Sequence, residues 1–113
     1  MTFREMRVLH TRLMAELKLW IFQQEGYEVA TAEGMDRITE KDPTSDHMKN
    51  SNHNYGLAED LDLYLNGNYM KKTEDHKFVG DKWKSMHPLC RWGGDLIKHP
   101  DGNHYSLEYQ GRV

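Results

Sequence analysis

Residues 57–65 read "LAEDLDLYL". Leu61, Leu63 and Leu65 alternate with Asp60, Asp62 and Tyr64, the two-residue period of a strand with one apolar and one polar face. "NGN", residues 66–68, follows at once and predicts a tight turn into a second strand at "YMKK", residues 69–72. A hairpin in mid-chain calls for an antiparallel sheet, and the flanking segments must supply what covers its apolar face.

Upstream, Met6, Leu9, Leu13, Leu17, Trp20 and Ile21 recur at three- and four-residue steps. That spacing predicts one amphipathic helix from Phe3 to about Gln24, with Thr2 as its N-cap, Gly26 as its stop and the Met and Trp residues as core. "GYEVATA" is rich in β-formers and predicts a short strand over Tyr27–Ala32. Residues 33–52 carry charges, Pro43, Ser and Asn with little periodicity, which suggests a helical turn near Asp36–Lys41 and then an irregular loop. Downstream, Thr73 is the expected cap of a helix over Glu74–Met86, with Phe78, Val79, Trp83 and Met86 as its buried stripe and Pro88 ending it. "LCRW" (89–92) and "HYSLEY" (104–109) predict two further strands around the turn-rich "GGDLIKHPDGN" (93–103). The sum is an α+β fold, a small mainly antiparallel sheet with two main helices. With no repeat and no linker, residues 1–113 are expected to form a single domain without a separate second unit.

Bulk properties narrow the function. A net charge of −3 argues against nucleic acid as the main partner, because phosphate binding needs clustered Lys and Arg. No apolar run reaches the roughly 18–20 residues that a bilayer demands, and the charged N-terminal segment lacks the apolar centre of a secretory signal. Cys90 is the single cysteine, which excludes an internal disulfide and a multi-cysteine zinc site; it is expected to be a small core residue. Seven histidines in 113 residues are many, and they direct attention to metal chemistry.

His53 and Asp60 stand seven apart, with the small residues Gly56 and Ala58 between them to let the chain fold back. A catalytic zinc usually takes three protein ligands and keeps a fourth position open, so a further ligand must come from another segment. "HPDGNHYSLEY" supplies two candidates, His99 and His104: His104 opens the last strand, and Asp101 stands three residues before it on a turn, from which it could project a carboxylate beside the metal without binding it. A carboxylate there can take a proton from water and pass it to a leaving amine. On spacing alone the His53–Asp60 pair says little, since a chain this rich in both residues contains such pairs by chance.

The wider pattern says more. Ser51-x-His53-x-x-Gly56-x-Ala58-x-Asp60, then Trp92-Gly93-Gly94-Asp95, then Asp101-x-x-His104, resembles the zinc D-Ala-D-Ala carboxypeptidase and L-alanyl-D-glutamate endopeptidase family, with phage endolysins the most similar members. The resemblance spans about residues 25–110. It implies the α+β fold shared by Hedgehog signalling domains and D,D-peptidases. It also implies Zn2+ held by His53, Asp60 and His104, with Asp101 as general base, Ser51 at the substrate cleft and Asp95 supporting the site from behind the ligands. The family's Gly-Tyr-Arg reads Gly26-Tyr27-Glu28 here, so Arg37, the only arginine between the first strand and the metal loop, takes the substrate-binding role. Relatives that trim D-Ala-D-Ala ends typically carry glutamate three residues before the last histidine; Asp101 in that place is similar to the phage endopeptidases.

The expectation is therefore a zinc peptidase that cuts the peptide stem of bacterial peptidoglycan, at the L-Ala–D-Glu bond, for host lysis by a bacteriophage. It would work as a monomer without membrane insertion, held in the host cytoplasm until release to the periplasm and wall. The alternatives are a D-Ala-D-Ala carboxypeptidase of the same family and a non-catalytic zinc-stabilised binding or structural protein. His47 and His99, both in loops, are alternative ligands, whereas His10, His76 and His87 are expected to be exposed or partly buried side chains of the helices. Trp92-Gly93-Gly94 is read either as cleft lining or as a packed tryptophan before a tight turn.

Overall fold

The computed structural model describes residues 1–32 and 52–113, without the side chains of residues 53 and 54. The first helix, α1, runs over Phe3–Phe22. Thr2 caps it as expected: its hydroxyl accepts from Glu5 N at 3.1 Å, and the Glu5 carboxylate accepts from Thr2 N at 2.7 Å, so two otherwise orphaned amides are satisfied. Strand β1 is Tyr27–Thr31, β2 is Ala58–Leu65 and β3 is the two-residue Asn68–Tyr69. The hairpin between β2 and β3 turns on Asn66 and Gly67, at φ of 50° and 81°, left-handed values that asparagine and glycine tolerate best.

The second helix starts differently from the prediction. Residues Thr73–His76 form a 3-10 turn, and only Lys77–Met86 is α-helical (α2). The Thr73 hydroxyl does not cap it; instead the Asp75 carboxylate accepts from Lys72 N at 3.2 Å. Strands β4 (Cys90–Trp92) and β5 (His104–Leu107) complete the sheet, with a 3-10 turn over Gly93–Asp95 after β4. The expected helical turn at Asp36–Lys41 lies outside the described residues.

The strands run in the order β1-β2-β5-β4, with β3 also on β2, and every pairing is antiparallel. Register sets which side chains share a face. Leu61 and Leu63 of β2, Tyr105 and Leu107 of β5, and Cys90 and Trp92 of β4 point one way and join Leu13, Leu17, Ile21, Val79 and Trp83 of the two helices in a single core. Asp60 and His104 fall on the opposite face by the same parity, as a directly facing cross-strand pair. The fold is thus α+β, with both helices against one face of the sheet.

Candidate metal centre

Asp60 sits within β2, the strand bonded on both sides by β1 and β5, so its backbone is fixed along its length. It is only 4% exposed although it belongs to the polar set of an alternating strand. Its facing partner His104 is also buried, and His104 Nδ1 lies 3.4 Å from Asp60 Oδ1. Asp101 is exposed on the turn before β5, yet its carboxylate comes back to this pair. Potential ligand atoms of Asp60, Asp101 and His104 all lie within 4.8 Å of one another, the only such three-residue group of His, Cys, Asp and Glu among the described residues.

The turn that presents Asp101 is held by backbone. Asp101 N donates to Gly93 O at 2.9 Å, His104 N to Asp101 O at 3.2 Å, and Leu61 N to Asn103 O at 2.9 Å. A side chain at Gly93 would put its Cβ 2.1 Å from Asp101 O, and one at Gly102 would meet Thr73 Cα at 2.6 Å. Neither position admits a Cβ without moving the turn. Trp92 is buried, with its Nε1 donating to Gly102 O at 2.7 Å, so of its two readings the packed tryptophan is the one the structure contains.

The backbone of His53 lies on a 3-10 turn over Asn52–Tyr55 that leads directly into β2. Asn52 ties that turn to the sheet: it is 1% exposed, and its Nδ2 donates to Leu107 O at 2.8 Å. The His53 side chain, Ser51, Arg37 and His47 lie outside what is described. Asp95 is not in the converging group; its carboxylate is turned to Lys84 on α2, 2.8 Å away.

Two of the histidines expected to be exposed or partly buried are buried, His10 and His76. His10 Nε2 is 3.1 Å from Tyr105 O, and its ring meets Trp83 edge-on. His76 is held on both nitrogens, Nε2 3.0 Å from Met70 O and Nδ1 2.9 Å from the Tyr105 hydroxyl. A carbonyl only accepts, so Nε2 carries the hydrogen and Nδ1 accepts from Tyr105. Burial pushes the His76 imidazole below its ordinary pKa and the Tyr105 phenol well above its own, so both favour the neutral forms this bond needs. Single apolar neighbours around His10 and His76 gave no signal of this, because the burial comes from a strand some thirty to ninety residues away.

One imidazole and two carboxylates, two buried and one open to solvent, form a nitrogen–oxygen donor set of the kind zinc accepts. No helix among the described residues is long and apolar enough to cross a membrane. No curated protein matches the chain. A family model described as D-alanyl-D-alanine carboxypeptidase does match, over residues 44–107, more than half of the chain and the span that contains Asp60, Asp101 and His104, and the chain belongs to that peptidase family.

Proposed function

We propose that this chain is a zinc-dependent endopeptidase of bacterial peptidoglycan that cuts the L-Ala–D-Glu bond of the stem peptide. The observation that carries the reading is the convergence of Asp60, Asp101 and His104 within a chain of a peptidase family whose substrate is the cell wall. In this reading His53, Asp60 and His104 hold the metal and Asp101 stays off it as the base. Asp60 and His104 suit the ligand role because both are buried on paired strands, which fixes their donor atoms before any ion arrives. Asp101 suits the other role because it is exposed on a turn at the edge of the group, where water and substrate can reach it.

Zinc, when bound, supplies Lewis acidity toward the scissile carbonyl. The protein's own part is proton handling and orientation. The Asp101 carboxylate takes a proton from the attacking water as the new C–O bond forms. It returns that proton to the nitrogen as the C–N bond breaks, leaving a carboxylate on L-Ala and an amine on D-Glu. Arg37 is assigned to substrate binding and the oxyanion by elimination, as the only arginine between the first strand and the metal loop, and Ser51 to the cleft from the resemblance in motif order. Asp95 acts at one remove by holding the Gly93–Asp95 turn to α2 through Lys84.

Aspartate rather than glutamate three residues before the last histidine favours the endopeptidase, and with it the role of a phage endolysin stored in the host cytoplasm. The second reading, removal of terminal D-Ala, is favoured by the description of the matched family. Mass spectrometry of digested wall separates them. The endopeptidase leaves stem peptides with a free D-Glu amine and glycan ending in lactyl-L-Ala. Free D-alanine as the main product establishes the carboxypeptidase, and an unaltered muropeptide pattern removes the enzyme reading altogether.

A further inference from the structure

Asp101 combines two properties that do not ordinarily go together: its side chain is exposed, and its main chain is fixed on both sides. One side is the Asp101 N–H on Gly93 O. The other is the carbonyl of Gly102, the next residue, which accepts from the Trp92 indole at 2.7 Å in a buried bond. The indole is itself fixed by a slot with glycine on two walls. A Cβ on Gly80 of α2 would come within 2.3 Å of the ring, and one on Gly94 would also reach 2.3 Å. Lys84 Nζ stands 5.5 Å from the ring centroid and also pairs with Asp95, so the ring is held to α2 and to its own following turn.

From this geometry we infer that Trp92 is a positioning residue for Asp101: wedged between Gly80 and Gly94, it fixes through Gly102 the direction in which the Asp101 carboxylate points. The inference rests on the reading of Asp101 as the base. It assigns the indole N–H a role in turnover, with none in metal binding or substrate affinity. Gly80 becomes part of the same device, because α2 can lie this close to the ring only where it lacks a side chain. A base displaced by a fraction of an ångström loses rate, while Asp60 on β2 and His104 on β5 keep their places.

The test is a double-mutant cycle on the zinc-loaded full chain. Trp92→Phe keeps an aromatic ring but removes the N–H; Gly80→Ala leaves the indole intact and pushes it from its slot. Both are expected to lower kcat about tenfold while KM stays within about twofold and zinc content by atomic emission is unchanged. In an Asp101→Asn background neither should cost anything more, since there is no base left to misplace. Full kcat in both variants, or losses that multiply with that of Asp101→Asn, overturns the inference and leaves Asp101 as base. Full activity of Asp101→Asn itself overturns the base reading and this inference with it. Should Trp92→Phe fail to fold by circular dichroism, Gly80→Ala carries the same outcomes, because alanine is a better helix former than glycine and the nearest atoms its Cβ meets are those of the ring.

Discussion

Asp101 and His76 show how differently a single side chain can depend on its surroundings. Asp101→Asn keeps shape and hydrogen-bonding capacity but cannot take a proton, so zinc content should be unchanged and turnover should fall by roughly two to four orders of magnitude, the usual worth of a general base. Near-normal turnover would move the role to another carboxylate. For His76 the prediction concerns stability. Desolvation depresses its pKa in the folded chain, so the unfolded chain takes up a proton first as pH falls. Its contribution is therefore present above about 6.5, the ordinary histidine value, and is lost as pH drops below it. Urea titrations of the protein and of His76→Gln should show a stability gap that narrows between pH 7.5 and 5.5; a gap independent of pH would mean that His76 is not buried neutral. The motif spacing made Asp101 legible in the sequence. It gave no sign of His76, whose partner Tyr105 lies on a distant strand.

At the scale of elements, α1 and β2 were readable because their patterns are long and regular. Thr2 with Glu5 three residues on, and leucines at every second position, are local signals that the tertiary structure has no cause to override. The start of α2 was not readable, because Thr73 looks like a cap while the Asp75 carboxylate does the work two residues later. Nor was the pairing of β2 with β5. It joins segments more than forty residues apart, and no local preference encodes that neighbour. Yet it is this pairing that makes Asp60 and His104 face one another. A metal bound across it must cross-link the two strands, so removing zinc with a chelator should lower the melting temperature. His104→Ala should lose the metal and be insensitive to the chelator. If that variant retains its zinc, the ligand is another residue, with His99 the first to replace.

For the molecule as a whole, composition and pattern were enough for the fold class, since a hairpin flanked by two amphipathic helices has few ways to bury its apolar face. They could not supply the strand order, and they left Trp92 ambiguous because its slot is built by glycines on two other elements. Cys90 is a different case, correctly read as core, with a use that follows from where the core places it. It is 3% exposed on β4, the strand at the edge of the sheet beside β5, and burial pushes its thiol up to about 12. Near pH 8 the folded chain therefore presents almost no thiolate, while the opened chain presents an ordinary one. As the chain's only cysteine, it can take up just one adduct, and each adduct records one opening of the structure that covers the thiol, where Cys90 pairs with Leu107 of β5. Labelling of the thiol is thus a measure of how often the sheet opens at Cys90. Thiol labelling followed by intact mass should slow by the factor with which zinc favours the closed sheet. Equal rates with and without the metal would mean that this edge opens without disturbing the site.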